Sequence, residues 1–207
     1  LLNKYQVVGT FNLNSGLFAK KLPWMKAFTG KAGEYIKQSE VKTLYKGHEI
    51  ASHSYSNPGF AGLDTAELKL QLARDKHILS PIKGSPLHSF AYPLGSYDKT
   101  AMKLVKQAGF TNARTVNDAL NFELPTNYMA WNPTVHHSKA MPLIEHYIAL
   151  KSNKLTVMMI WGHSWEFDKN TKNNNLVYAE QLIHTISNKD DIWYVSAGEF
   201  IAFLEGK

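Results

Sequence analysis

The stretch Gly47-His48-Glu49-Ile50-Ala51-Ser52-His53-Ser54-Tyr55-Ser56-Asn57-Pro58 decides the fold. Glu49 to Ser52 reads as a short buried strand, and Gly47 just before it stops a helix expected over Ser39 to Tyr45. The residues that follow are polar and turn-forming. Ser, Asn and Pro suit a tight loop, and His53 and Asn57, four apart, can be aimed at one point from it. A strand that ends on groups able to grip a metal or a sugar is the pattern of an α/β protein, whose chemistry gathers at the carboxyl ends of its strands.

Outward from this stretch, strands and helices alternate. Tyr5 to Leu13 is rich in β-branched and aromatic residues and reads as a strand closed by Asn14-Ser15-Gly16. Asp64 and Glu67 form a capping box, with Leu63 and Leu68 as its hydrophobic staple. Leu68, Leu72, Leu79 and Ile82 then place an apolar stripe on one helix face as far as Lys83-Gly84. Further along come a strand over His88 to Tyr92, a helix over Lys99 to Gln107 and a strand over Phe110 to Thr115. After an irregular stretch from Asn117 to Ser138, a helix from Pro142 to Ser152 leads into the strongest strand candidate, Leu155 to Trp161. A helix over Val177 to Ser187, a last strand over Ile192 to Val195 and a terminal helix opened by Ser196 and Glu199 complete the series. Strands separated by helices of this length predict a parallel sheet with crossover helices, open or closed into a barrel.

A chain of 207 residues with 44% hydrophobic residues can bury one sizeable core, and one domain spanning 1–207 is expected. Leu155 to Trp161, the longest apolar run of interest, has the length of a buried strand and not of a membrane span. Nothing near Leu1 has the order of a signal peptide, so an export signal is expected to have been removed or never present. With no cysteine, disulfides and thiolate sites are excluded, and any metal must be held by His, carboxylate or amide oxygen. The net charge of +6 is spread along the chain without a dense basic run, and no nucleic-acid module is recognisable, so a nucleic-acid partner is not expected.

Several residues carry candidate chemistry by type alone. His53 and Asn57 are metal donors or members of a hydrogen-bonded turn. His163 follows an apolar strand between Gly162 and Ser164, with Glu166 and Asp168 close by, which suits an acid/base cluster. Trp24, Trp131, Trp161, Trp165, Tyr55, Tyr92 and Tyr97 offer flat faces for sugar rings, although most such residues serve the core. His136 and His137 are adjacent; on an extended segment they point to opposite sides, so only one is expected to line a cleft.

The residues Ser52 to Pro58, with Phe90-Ala91-Tyr92-Pro93-Leu94-Gly95 and Ile160-Trp161-Gly162-His163-Ser164-Trp165-Glu166, resemble the polysaccharide deacetylase family of the NodB-homology fold. The resemblance runs in order from Leu1-Leu2-Asn3-Lys4-Tyr5 and Thr10-Phe11 through His53 and Pro93 to His163. It implies a distorted (β/α) barrel and removal of N- or O-acetyl groups from a polysaccharide by water activated on a divalent metal, commonly zinc. By resemblance, His53 matches the first histidine ligand, His163 the late catalytic histidine, and Leu94 the loop position whose backbone N–H holds the oxyanion. Glu166 is then expected to orient His163 or touch substrate, and Tyr92, Trp131 and Trp165 to contact sugar. An extracytoplasmic location follows from family habit alone.

The departures are as informative. Asn57 stands where the second histidine ligand is usual, and Ala91 where many members have an arginine. The family's aspartate pair lies on a strand upstream of the segment resembling Leu1 to Phe11, and no Asp precedes Asp64, so the barrel is expected to lack its first strand. Two alternatives remain beside the deacetylase reading: a carbohydrate binder without chemistry on the same barrel, and a glycosidase using Glu166 with His163.

Overall fold

The computed structural model describes residues 1–207 and contains eight short strands. In chain order they are β1 Thr10–Leu13, β2 Lys21–Leu22, β3 Gly33–Glu34, β4 Glu49–Ser52, β5 Ser89–Ala91, β6 Asn112–Arg114, β7 Val135–His136 and β8 Ile160–Trp161. β1, β4, β5 and β6 form one parallel sheet in that order, with Thr10 opposite Glu49, Ser52 opposite Phe90, and Ala91 opposite Arg114. A bridge from Arg114 to Trp131 carries the pairing onward, and β7 and β8 pair in parallel beyond it. β2 and β3 make a small antiparallel hairpin after β1. This is the expected α/β class with a parallel sheet and crossover helices. The hydrogen-bonded circuit stays open: β1 and β6 are the two ends of the four-stranded sheet, and β8 pairs only with β7.

Residues of β4 are buried without exception, which is why this strand reads as a continuous run and not as an alternation. Its neighbours supply the main core, in which Ile50 and Phe90 meet Leu68, Leu72 and Leu79 from the helix Thr65–Lys83 and Leu104 and Val105 from the helix Lys99–Gln107. Burying each such side chain stabilises the fold by about 1.5–3 kcal/mol. Asp64 caps the long helix by accepting from the N–H groups of Ala66 and Glu67, at 2.8 and 3.2 Å. The reciprocal half of the box is missing, because the Glu67 carboxylate accepts instead from Gln71 Nε2 at 2.7 Å.

At the amino ends of the strands the buried Glu49 carboxylate is fully occupied. It accepts from Thr10 Oγ1 at 2.9 Å, Ser89 Oγ at 2.7 Å and the Gly198 N–H at 3.0 Å. The terminal helix Ala197–Leu204 therefore sits with its amino end on that carboxylate, where the helix dipole favours a negative charge. A Cβ at Gly198 would lie 2.5 Å from Glu49 Oε1, so the approach needs glycine.

Two expected strands do not form as ladders. Of Leu155 to Trp161 only Ile160–Trp161 pairs; before it, the Val157 N–H donates to Phe122 O and the Thr134 N–H to Met159 O, so loops satisfy the backbone. Ile192 to Val195 has no strand partner, and its place is fixed by Tyr194 Oη, which donates to Ile186 O and accepts from the Lys189 N–H.

Candidate active site

Because the strands are parallel, their carboxyl ends share one mouth, and the loops leaving them carry the polar residues. His53 leaves β4 with its Nδ1 2.7 Å from Ala91 O at the end of β5. A carbonyl only accepts, so Nδ1 holds the proton and Nε2 keeps its lone pair. Removal from water, then the Arg114 guanidinium, outweigh the hydrogen bond to Ala91 O and lower the His53 pKa to about 3. The ring is thus neutral at ordinary pH, and the ends of β4, β6 and β8 come together around it.

Asn57 lies four residues on, in the left-handed region at φ 67°, which Asn tolerates, with its N–H donating to Ser54 Oγ at 3.1 Å. Its amide Oδ1 is buried and has no partner. Leu94 occupies the turn after β5 at φ 56° with an exposed side chain, and its N–H donates to no group of the protein. This N–H is free to donate to groups outside the chain.

His163 follows β8 with about half its side chain exposed. Its Nδ1 and its N–H both lie 3.2 Å from Glu166 Oε2, and the Glu166 N–H returns a bond to His163 O at 3.0 Å. The same Oε2 is 2.9 Å from His136 Nε2 and 3.7 Å from His137 Nδ1, while Oε1 meets Lys169 Nζ at 3.4 Å. Burial opposes ionisation of Glu166, but hydrogen bonds and charge from His136 and His163 outweigh it and hold the carboxyl well below the usual carboxylate range. Arg114 stacks over Trp161, its Cζ 5.1 Å from the ring, and Trp161 Nε1 donates to Asp118 Oδ1 at 2.9 Å. Burial lowers the Arg114 pKa to about 10, which still leaves a cation.

The expected sugar contacts divide. Tyr92 is fully buried, stacked on Tyr97 at 4.6 Å with its hydroxyl donating to Met129 O, so it is a core residue and not a sugar contact. Trp131 is likewise buried, against Phe200, and is a core residue and not a sugar contact. Trp165 stays at the mouth, 5.0 Å from Trp24 and 5.9 Å from Phe28 between ring centres, with Lys169 Nζ 4.6 Å over it. Trp24 and Phe28 are exposed, and the excursion carrying the β2–β3 hairpin brings them there.

Sequence reasoning missed the histidine pair. His136 and His137 both face Glu166, their ring centres 4.3 Å apart, because the chain leaves β7 at His136 and turns at once into the 3-10 helix His137–Lys139. Alternation holds only while a strand continues. The available signal was the short polar run His136-His137-Ser138 after a buried valine.

Fold and mouth define an α/β protein with a parallel sheet, crossover helices, and histidines and a carboxylate at the strand ends. A family model described as polysaccharide deacetylase matches residues 1–113, more than half of the chain, and the chain belongs to that family. A Mycobacterium smegmatis protein described as a polysaccharide deacetylase superposes with a TM-score of 0.65 at 14% identity, covering 99% of this chain and 74% of its own. A Bacillus anthracis pseudoenzyme of the CE4 family superposes with a TM-score of 0.55 at 17% identity, covering 97% and 57%. A Streptococcus pyogenes deacetylase in complex with acetate gives 0.51 at 17% identity, covering 63% of this chain and 54% of its own, so the chain spans about half that protein's length. At these identities the likeness is one of fold. No curated protein matches the chain by sequence.

Proposed function

We propose that the protein is a carbohydrate deacetylase-like hydrolase acting on N- or O-acetyl groups of a polysaccharide. The observation that supports this reading is the half-exposed His163 held by Glu166 at the same mouth as the unpaired Leu94 N–H. With Nδ1 against the carboxylate, His163 Nε2 takes a proton from the attacking water and returns it to the departing amine or alcohol. The Leu94 N–H faces the oxygen on which charge develops. His53 Nε2 and the buried Asn57 Oδ1 are neutral acceptors. They do not by themselves hold the divalent metal typical of the family: two neutral donors bring no counter-charge, and Arg114 places a cation beside them. In this reading the protein works outside the cytoplasm, where acetylated polymers are met.

Acetate release from acetylated chitin and xylan oligomers tests the proposal. His163→Gln should lower kcat by about 10³-fold while KM moves no more than about twofold, since the imidazole acts in the transition state. Equal loss in both, or no loss, overturns the acid/base role.

A second reading is favoured by one surface. Exposed Trp24 and Phe28 and half-buried Trp165 form an aromatic cluster with Lys169 over it, which fits a sugar-stacking platform of a binder without chemistry. Oligosaccharide quenching of tryptophan fluorescence, lost in Trp165→Ala and unaccompanied by acetate release, would select it.

A further inference from the structure

Beside His163, three side chains converge in an arrangement that hydrogen bonding alone does not satisfy. His137 is buried, with 5% of its side chain exposed. Its Nε2 lies 2.9 Å from Asn174 Oδ1, and Asn174 Nδ2 donates to Thr171 Oγ1 at 3.3 Å. Oδ1 accepts, so Nε2 carries the proton and Nδ1 presents a bare lone pair. That Nδ1 has no partner, and it looks across 3.7 Å at the ionised Glu166 Oε2. Two electron-rich atoms so placed repel unless a proton or a metal cation lies among them.

We propose that His136 Nε2, His137 Nδ1 and Glu166 bind one divalent cation of the zinc class, with a fourth position open on the side of His163. Donor atoms of the three residues lie within 4.8 Å of one another. Tetrahedral bonds of 2.0–2.1 Å put neighbouring donors about 3.3 Å apart. The separations of Glu166 Oε2 from His136 Nε2 and His137 Nδ1, 2.9 and 3.7 Å, fall on either side of that value. His137 has its other nitrogen held from behind by Asn174, which is how metal-binding histidines are oriented, whereas His136 Nδ1 accepts from the Ser138 N–H at 3.4 Å, so the Nε2 proton that it shares with Glu166 leaves to solvent as the cation enters. Gly162 keeps the space clear: a Cβ there would stand 2.1 Å from His137 Nδ1. Two imidazoles and a carboxylate select zinc, cobalt(II) or iron(II) over magnesium and calcium, which prefer oxygen alone. The set brings the counter-charge that His53 and Asn57 lack. The inference stands whether or not the protein releases acetate, because it concerns binding only.

The test is cobalt(II) titrated into the chelator-stripped full chain, read by visible absorption and by equilibrium dialysis. One equivalent should bind, with tetrahedral-type bands. Affinity should fall at least 100-fold in Glu166→Gln and His137→Gln and stay within twofold in His53→Ala. Asn174→Ala, which removes only the support behind His137, should weaken binding about 10-fold, and it decides the matter if His137→Gln does not fold. A folded chain that binds no cobalt at micromolar concentration overturns the proposal. So does binding that survives Glu166→Gln and Asn174→Ala or that is lost in His53→Ala.

Discussion

Two buried glutamates mark opposite ends of the parallel strands, and their surroundings differ in kind. Glu49, at the amino ends, accepts from two hydroxyls and one backbone N–H, all fixed, and a helix closes over it. Glu166, at the carboxyl ends, gathers three imidazoles around one oxygen, and one of those rings reaches solvent. Hydroxyls and amides do not titrate near neutral pH, so the first arrangement is static; imidazoles exchange protons and bind cations, so the second can do chemistry. In parallel α/β sheets this division is expected, since one end of the strands stabilises and the other reacts.

Three substitutions sharpen that contrast. The largest effect belongs to Glu49→Gln, which turns an acceptor oxygen into an amide that faces donors in a sealed site. We expect a loss of about 3 kcal/mol and a Tm lower by about 6–12 °C, measured by thermal unfolding, with ligand binding at the mouth intact.

Asp75 comes next. Burial raises its pKa to about 6 against the opposing hydrogen bonds from Ser15 and Ser52. The folded chain then keeps this proton to higher pH than the unfolded chain does. Its contribution to stability is complete below about pH 4 and is lost as pH rises through about 6, a change of about 2–3 kcal/mol. Denaturant unfolding between pH 4 and 7 should show the decline in the natural sequence and not in Asp75→Asn. A decline of equal size in both would exclude Asp75 as its source. The smallest effect is that of Ser196→Ala, which removes the oxygen accepting the Glu199 N–H at the start of the terminal helix. About 1 kcal/mol should be lost, or 2–4 °C in Tm; no change would mean that the Glu49 carboxylate alone anchors this helix.

What was legible in the sequence was local. The helix Lys99–Gln107 appears with the expected bounds because Asp98 caps it through the Ala101 N–H, and the Ser196–Glu199 box forms in full. The polar ends of β4 and β8 were legible for a similar reason: both strands are parallel members of the fold and end on the loops that carry His53 and His163. Tertiary features were not. Leu155 to Trp161 looked like the strongest strand, yet a ladder needs a partner of equal length, and β7 supplies only two residues. Tyr92 and Trp131 looked like sugar contacts, but aromatic exposure is set by what packs against the ring. Adjacency puts His136 and His137 on opposite faces only of a continuing strand, and here the strand ends at His136 and the turn begins at His137.

Glu166→Gln and Glu49→Gln, compared side by side for acetate release and melting temperature, test the central claim most directly. The account predicts that Glu166→Gln loses at least 100-fold in turnover with a Tm shift of a few degrees or less, while Glu49→Gln melts early and keeps its turnover at low temperature. Turnover unchanged by Glu166→Gln, or the two effects exchanged, would contradict it.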